Sequence, residues 1–315
     1  MQSSLATSLS CLPEIEREAI LGGYSAEELL GLKYRWEFWA RPDQLPPDDD
    51  NWRGFLLLGG RGAGKTRTLV EWVRSDLQPN DRIAIVGRTA ADVRDVLIEG
   101  ESGLLACCPP WQRPVYEPTK RRVTFPNGAT CHLFSSQEPD VLRGPQHTKA
   151  IADEIATWDR GTETWTNLML GLRLGHSRWA AARTPRPVKL LKDLMSQPDV
   201  IVRRSTTYDN LANLSSSFAG QIIRKYEGTS VGRSELLGEF VDEVEGALWS
   251  RTLCDACRLK EPPADLLRIV VGVDPATTSG EDADSTGIVV CGKDSEGRLY
   301  VLADYTLRAT PRRWA

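Results

Sequence analysis

The chain has 315 residues, of which 41% are hydrophobic and 26% are charged, a composition that argues against intrinsic disorder. This length predicts about two domains, because a single domain usually has roughly 100 to 200 residues. The formal net charge of −4 gives no general indication of nucleic-acid binding. No apolar run approaches the roughly 18 residues of a membrane span, and the amino terminus lacks the pattern of a secretion signal. The seven scattered cysteines indicate reduced thiols, as in a cytoplasmic protein.

The first 50 residues are predicted to form a helical lead-in. Residues 13–21 and 25–40 interleave apolar and charged residues in the way that is typical of helices. Ser25 and Glu28 have the spacing of a capping box at the start of the second helix. Residues 41–51 contain three prolines and three consecutive aspartates, and they predict a loop.

Strands and helices then alternate along the chain. Two short apolar runs flank Pro-Asn-Gly at residues 126–128, which predicts a hairpin. The alternation elsewhere predicts an α/β fold with a mainly parallel sheet and helices on both faces. The predicted strands are 55–58, 83–87, 122–125, 130–134, 150–152, 178–182 and 200–205, and the predicted helices are 65–77, 90–98, 158–174 and 188–195.

A second domain is predicted to begin near residue 267. Three apolar runs between residues 268 and 305 are joined by turn sequences and predict a three-stranded meander. A three-stranded sheet with one open face is too small for a domain, so we expect this domain to be incomplete within the 315 residues. The predicted division is residues 1–245, a linker over 246–267, and the incomplete domain over 268–315.

A glycine-rich stretch between an apolar strand and a helix satisfies the pattern G-x-x-x-x-G-K-[ST]. Its glycines allow backbone N–H groups to surround a phosphate, Lys65 can reach the outer phosphates, and the Thr66 hydroxyl can bind Mg²⁺. The alternative is a structural glycine turn, which the strand and helix on either side make the weaker interpretation. The residues predicted to bind ATP here are Gly59, Gly60, Arg61, Gly62, Ala63, Gly64, Lys65 and Thr66.

Hydrolysis of ATP requires a second strand that ends in carboxylates, and residues 150–154 (AIADE) are the best match. Asp153 is predicted to hold the Mg²⁺, and Glu154 to orient the attacking water. An acidic helix amino terminus is the alternative interpretation of the same two residues.

Two arginines are candidates for stabilising the charge that develops during phosphoryl transfer. Arg61 lies within the glycine-rich loop, and Arg143 lies in LRGPQ, shortly before the acidic pair. Arg61 could instead be exposed to solvent, and Arg143 could equally form a surface salt bridge.

Taken together, these motifs resemble the large terminase subunit of phages and gene transfer agents. The features cover nearly the whole chain from residue 34 onward, and their order is more specific than any one of them. They are WEFWARPDQLPP, GGRGAGKT, LRGPQ, ADE, LMLGLRLG, RTPRP, TTYDN, YEGTSVGRSELLGEF and VGVDPATTSGEDADSTGIVV.

The resemblance implies a P-loop ATPase domain of the ASCE type, followed by the first strands of an RNase-H-like nuclease. Its implied function is an ATP-driven motor that moves double-stranded DNA into a procapsid. The implied partners are DNA, a portal protein, a small terminase subunit and further copies of the chain in a ring. The implied location is the bacterial cytoplasm, at the portal of the assembling procapsid.

The resemblance also implies roles for single residues of the ATPase. Gln44 is expected to read adenine with Arg41 beside it, Arg61 to be the catalytic loop arginine, and Arg143 to act on a neighbouring subunit. Thr184 is expected to sense the γ-phosphate and to couple its loss to DNA movement. A solvent-facing loop glutamine and a strand-ending Thr-Pro turn are the alternatives for Gln44 and Thr184.

The final segment is expected to contribute to a two-metal nuclease that uses Mg²⁺ or Mn²⁺. Asp274 ends the first strand and is the principal candidate ligand, and Asp304 is a weaker one. Asp282 and Asp284 are interpreted as solvated turn residues. Because the remaining acids of the family are expected beyond residue 315, we predict that this chain alone does not cleave DNA.

Two other interpretations use the same motifs. The first is a DNA helicase or recombination ATPase, although only about 110 residues separate Glu154 from the meander, which is short for a second nucleotide-binding lobe. The second is a truncated prophage remnant, or a scaffold that binds nucleotide without turnover. The intact Lys65, Thr66, Asp153 and Glu154 argue against decay of the ATPase, whereas the expected absence of the nuclease end argues for truncation.

Overall fold

The structure is a computed structural model that describes residues 3–185, 187–227, 229–240, 249, 251–276 and 285–307. The chain divides into two compact units, Met1–Glu245 and Gly246–Ala315. Asp282 and Asp284 lie outside the described residues.

The first unit contains an eight-stranded mixed sheet with the order β3-β4-β5-β2-β6-β7-β1-β8. The strands from β5 to β8 in this order are parallel, and β3 and β4 are antiparallel additions at one edge. The strands are β1 Gly54–Gly59, β2 Arg82–Gly87, β3 Val115–Glu117, β4 Arg122–Thr124, β5 Thr130–Ser135, β6 Lys149–Asp153, β7 Arg178–Arg183 and β8 Val200–Ser205.

Alternate residues of the central strands enter two separate hydrophobic cores, because successive side chains of a strand point to opposite faces. Phe55 and Leu57 of β1 belong to one core, with residues of helix Lys65–Ser75. Leu56 and Leu58 belong to the other, with residues of helix Gly161–Gly171. Both faces of the sheet are therefore covered, as the continuous apolar sequence of β1 predicts.

The helices and the hairpin agree with most of the sequence predictions. The Ser25–Glu28 capping box is confirmed, with the Ser25 N–H donating to the Glu28 carboxylate at 2.8 Å. No described helix has the length and apolar character that crossing a bilayer requires. The helices are α1 Leu5–Ser10, α2 Glu14–Gly22, α3 Ala26–Lys33, α4 Trp36–Trp39, α5 Lys65–Ser75, α6 Ala90–Asp92, α7 Leu104–Cys107, α8 Gly161–Gly171, α9 Lys189–Met195, α10 Ser216–Tyr226, α11 Ser230–Glu235 and α12 Arg251–Ala256.

Two local predictions require correction, and one strand was missed. The helix predicted over 25–40 is interrupted at Tyr34–Arg35. Arg74 of α5 donates to the Tyr34 carbonyl, so this backbone oxygen has a hydrogen-bond partner where the helix is interrupted. The helix predicted over 90–98 continues from α6 as wider π-helical turns over Val93–Ile98. Strand β3 was not predicted, because it has only three residues and pairs only with β4.

The second unit contains an antiparallel sheet with the order β11-β10-β9, which confirms the predicted meander. Its strands are β9 Leu266–Asp274, β10 Gly287–Asp294 and β11 Leu299–Asp304. Most of β9 is exposed, including Leu267, Ile269 and Val271.

Candidate nucleotide-binding site

The glycine-rich loop connects the carboxyl end of β1 to the first residue of α5. Gly62 and Gly64 have positive φ angles of 74° and 84°, a conformation that side chains other than glycine rarely adopt. Gly64 is also the residue that precedes the first turn of α5. The loop thus has the conformation in which backbone N–H groups and a helix amino terminus can bind phosphate.

Lys65 folds back onto this loop. Its ammonium group donates to the Gly59 and Gly60 carbonyls at 3.1 and 2.9 Å and to the Thr184 hydroxyl at 3.1 Å. Burial lowers the pKa of Lys65, while the nearby carboxylates of Glu154 and Asp153 oppose that shift. The sequence places Thr184 119 positions away, and the fold brings it directly to the loop lysine.

The acidic pair lies at the end of β6, with β7 between this strand and β1. An extra strand between the loop strand and the acidic strand is the ASCE arrangement. The Thr66 hydroxyl lies 3.4 Å from the Asp153 carboxylate. Burial, followed by the neighbouring Glu154, raises the pKa of Asp153 to about 7. Glu154 adopts a left-handed conformation with φ of 49°, and its side chain is 40% exposed.

Arg183 belongs to a basic run, residues 178–192, that the sequence predicts only as a candidate phosphate or DNA contact, and the sequence analysis gave it no role in ATP hydrolysis. It ends β7 with 1% exposure, and its guanidinium donates to the backbone carbonyls of Glu154 and Thr184. One guanidinium nitrogen also lies 3.8 Å from the Glu154 carboxylate. Because β6 and β7 are neighbours, this one side chain contacts both the acidic pair and the Thr-Pro turn.

Arg41 and Gln44 support the loop from its outer side. The Arg41 guanidinium donates to the Ala63 carbonyl at 2.8 Å and to the Ser205 hydroxyl at 2.7 Å. The Gln44 amide donates to the Thr68 hydroxyl at 2.9 Å. Both side chains are buried, so the predicted adenine-reading pair is placed against the nucleotide loop.

Residues after β8 also hold the nucleotide loop in place, a role that the sequence analysis did not predict. The Thr207 hydroxyl donates to the Arg61 carbonyl, and the Asn210 amide donates to the Gly62 carbonyl, each at 2.7 Å. The Arg61 N–H donates to the Glu235 carbonyl at 2.6 Å. The available signal was the position of TTYDN directly after a predicted strand, but nothing in the sequence indicated that β8 would pair with β1.

The two candidate arginines are both exposed but differ in their contacts. The Arg61 side chain is exposed at the loop itself. Arg143 lies in a short 3₁₀ turn, Pro139–Arg143, where it pairs with Asp140 at 3.3 Å and with Glu163 at 3.9 Å. The structure therefore gives each arginine the alternative stated for it, since the Arg61 side chain is exposed to solvent and Arg143 forms surface salt bridges.

Side-chain oxygens at the start of α5 and at the end of β6 could bind a magnesium ion. The Thr66 hydroxyl and the Asp153 carboxylate are hard donors of the kind that Mg²⁺ prefers. The raised pKa of Asp153 reflects a buried carboxylate whose charge a divalent cation would offset. Lys65, Thr66, Asp153, Glu154 and Thr184 are thus brought together in one site.

The candidate nuclease residues lie in the second unit. Asp274 ends β9 opposite Gly287, and Asp304 ends β11 opposite Val289, so both acids lie at one end of the small sheet. The described residues contain no group of three or more histidine, cysteine, aspartate or glutamate side chains that could hold a metal ion.

Comparisons with known proteins place this site in a family. Residues 56–256 match the family described as terminase large subunit, T4likevirus-type, N-terminal. No curated protein matches the sequence.

Several solved structures share the fold. The large terminase of a thermophilic bacteriophage has 17% identity and a TM-score of 0.53, over 90% of this chain and 71% of that one. The same terminase in complex with ADP has 16% identity and a TM-score of 0.52, over the same shares of the two chains. A mutant ATPase domain of the Thermus phage P74-26 large terminase has 13% identity and a TM-score of 0.50, over 69% and 99%. On the strength of the family match, the chain belongs to the large terminase subunit family.

Proposed function

We propose that the chain is the ATPase of a motor that packages double-stranded DNA into a phage-like procapsid. Family membership supports a packaging motor, and the geometry supports ATP hydrolysis as its energy source. The observation that carries the proposal is that Lys65, Thr66, Asp153, Glu154 and Thr184 meet at the carboxyl ends of β1, β6 and β7.

Binding of ATP begins with the loop and its lysine. The N–H groups at the start of α5 bind phosphate oxygens, and Lys65 turns from the Gly59 and Gly60 carbonyls to the outer phosphates. Arg41 and Gln44 hold the loop in place, and Gln44 is proposed to contact the adenine as well. The structure of a family relative in complex with ADP agrees with a nucleotide ligand.

Hydrolysis requires a group that orients water and groups that stabilise the transition state. Glu154 is proposed to orient the water, and Arg183 keeps its backbone and carboxylate in position. A magnesium ion bound by Thr66 and Asp153 would neutralise charge on the phosphate oxygens. Arg61 is proposed to contact the developing charge from within the loop.

Coupling of hydrolysis to DNA movement is assigned to Thr184. It accepts a hydrogen bond from Lys65, so a shift of the lysine between carbonyls and phosphates changes a contact at the end of β7. Arg143 is proposed to leave Asp140 and Glu163 and to complete the site of a neighbouring subunit in a ring. The proposed partners of that ring are duplex DNA, a portal protein and a small terminase subunit, in the cytoplasm of a bacterial host.

The second unit is proposed to be the beginning of an RNase-H-like nuclease that cuts concatemeric DNA. Asp274 would be a ligand of Mg²⁺ or Mn²⁺ in that nuclease, with Asp304 as a further candidate ligand. The proposed domains are residues 1–245 for the ATPase and 268–315 for the nuclease portion, joined by a linker over 246–267.

The test is ATP hydrolysis by the wild type and by Glu154→Gln, with and without duplex DNA and over a range of protein concentrations. We expect Glu154→Gln to lower turnover by roughly two orders of magnitude or more, with ATP binding retained. Glu101→Gln, a change at an exposed residue outside the site, is the control and should hydrolyse ATP like the wild type. Equal turnover by Glu154→Gln and the wild type would remove Glu154 from the mechanism.

A further inference from the structure

A second polar site lies at the opposite end of the central sheet from the nucleotide loop. It is a cavity of about 480 Å³ beside the amino ends of β2, β5 and β6. His147 of this cavity precedes Asp153 by six residues, which corresponds to about 20 Å of extended chain. The residues that line the cavity are Asn80, Arg82, Arg122, Gly128, Thr130, His132, Pro145, Gln146 and His147.

The strand register brings the basic residues of this cavity together. His132 of β5 lies opposite Arg122 of β4 on one side and Ala84 of β2 on the other. Arg82 is two residues before Ala84 and therefore shares its face of the sheet. His147 lies just before β6, which is the neighbour of β2. Three strands and one loop thus contribute cationic or titratable side chains to the same face.

His147 has unmet hydrogen-bonding capacity in this position. Its side chain is 1% exposed, and neither ring nitrogen has a hydrogen-bond partner among the described residues. Burial lowers the pKa of His147 to about 4, and the nearby His132 and Arg82 contribute to that shift. Buried polar groups of native proteins are nearly always hydrogen-bonded, so the unpaired N–H of this neutral imidazole, beside two basic groups, indicates a missing acceptor.

The other lining residues have the same chemical character. Within the described chain, no ion pair involves Arg82, and no aspartate or glutamate lines the cavity. The Arg122 guanidinium lines it as well, with two of its nitrogens held by Glu117. Arginine is a donor without acceptors, a neutral imidazole supplies one N–H donor, and an arginine fork matches the spacing of phosphate oxygens.

We propose that this cavity binds a phosphate group through Arg82, His132 and His147. The phosphate has two sources, a free phosphate ion or a phosphodiester of duplex DNA, and both present the same oxygens to the same donors. The site shares no residue with the nucleotide loop, so its occupancy can be tested separately from ATP hydrolysis.

The chain has three histidines, so the signals of their imidazole rings can report phosphate binding directly. Two of them, His132 and His147, line the cavity, and His176 is exposed elsewhere and serves as the internal reference. The experiment records the ring ¹⁵N signals of the histidine-labelled full chain during titration with inorganic phosphate, and with sodium chloride at equal ionic strength. We expect phosphate, but not chloride, to shift the signals of His132 and His147 and to leave His176 unchanged. Phosphate bound at Lys65 would not reproduce this pattern, because no histidine lies in the nucleotide loop.

A second arm uses a short blunt-ended DNA duplex in place of phosphate. Shifts of the same two signals identify DNA as a source, whereas shifts with inorganic phosphate alone identify a free phosphate site. Arg82→Gln should weaken the response roughly tenfold, because one charge-assisted contact is removed. Arg113→Gln removes the same charge from an exposed residue that does not line the cavity and should respond like the wild type. Unmoved signals with both ligands, or an unchanged response in Arg82→Gln, would overturn the proposal.

Discussion

Burial has opposite effects on the two titratable side chains near the ends of β6. Asp153 at the carboxyl end has its pKa raised to about 7, and His147 before the amino end has its pKa lowered to about 4. In both cases the dominant cause is the loss of water around the charged form. Asp153 lies beside the Thr66 hydroxyl, where a cation can restore its charge, whereas His147 remains a neutral ring packed edge-to-face against Phe134.

The depressed pKa of His147 predicts an acid-dependent loss of stability. In the unfolded chain a histidine binds its proton near pH 6.5, and in the folded chain His147 binds it near pH 4. Between these values the unfolded state binds more protons, so the free energy of unfolding falls as the pH is lowered through this window. We expect His147 to contribute a loss of roughly 2 kcal/mol between pH 7.5 and pH 5.

The measurement is urea denaturation at both pH values in a phosphate-free buffer. His147→Phe retains the aromatic contact with Phe134 and should lack this part of the pH dependence. Asp153, whose raised pKa favours the folded state at low pH, is present in both proteins and cancels in the comparison. His176→Phe, a change at an exposed histidine, should behave like the wild type. The prediction is wrong if His147→Phe loses as much stability on acidification as the wild type.

At the scale of elements, the nucleotide loop depends on contacts that begin far away in the sequence. Residues after β8 and around α11 reach it because β8 pairs with β1 in parallel register, from Gly54 opposite Val200 to Gly59 opposite Ser205. Gly60 has no space for a side chain, since a Cβ there would lie 2.5 Å from the Leu236 carbonyl oxygen and 2.7 Å from the Thr207 hydroxyl. Gly60 therefore allows the loop to pack closely against Thr207 and Leu236, in addition to giving phosphate access to the backbone.

Gly60→Ala should consequently disturb the support of the loop. We expect it to lower the free energy of unfolding by roughly 1 to 3 kcal/mol, because the added methyl group meets backbone atoms. Nucleotide binding should weaken in parallel, as measured by ATP titration and urea denaturation of the same preparation. Gly31→Ala is the matched control: its methyl group meets no atom within 4 Å and lies in α3, so it should raise stability by about 0.5 to 1 kcal/mol. Equal stability of Gly60→Ala and the wild type would contradict this account.

An element can be predicted from the sequence when neighbouring residues determine it. The alternation of strands and helices, the capping box at Ser25 and the hairpin around Gly128 depend on neighbouring residues, and the sequence predicted them. The interruption at Tyr34 depends on Arg74, and the support of the loop depends on Thr207 and Asn210. These contacts join residues 40 to 148 positions apart, and a single sequence contains no signal for such pairings.

The same distinction applies to the candidate site. Lys65, Thr66, Asp153 and Glu154 were found because each belongs to a motif whose spacing follows from phosphate chemistry. The contacts of Arg183 were missed because the sequence shows it only as one member of a basic run, whereas in the fold its guanidinium contacts both Glu154 and Thr184.

At the scale of the whole molecule, the two units differ in how complete their chemistry is. The first unit brings together the residues proposed for ATP hydrolysis, which are Lys65, Thr66, Asp153, Glu154 and Thr184. In the second, Asp274 and Asp304 stand on the two outer strands of a three-stranded sheet. A two-metal centre needs more carboxylates than these two.

We predict that Asp274 and Asp304 alone are too few carboxylates for Mn²⁺-dependent cleavage of plasmid DNA. Agarose gel analysis of supercoiled plasmid would measure it, beside an ATP hydrolysis assay that shows the first unit to be folded in the same preparation. Asp274→Asn is the control, because nicking by a contaminating nuclease would be identical in both proteins. Cleavage by the wild type that Asp274→Asn abolishes would contradict the prediction and identify a working nuclease.

Strand β9 has a consequence for how assembly of the protein is measured. Among the described residues it is an edge strand of nine residues, and its exposed valine, leucine and isoleucine side chains accompany backbone groups that pair with no described strand. Such an edge favours strand-to-strand pairing between copies of the chain at the millimolar concentrations of structural work. Light scattering would then record two kinds of self-association, one through β9 and one through the proposed ring of ATPase subunits. Only the second should respond to ATP, so nucleotide dependence, rather than particle mass, is the criterion that identifies the motor.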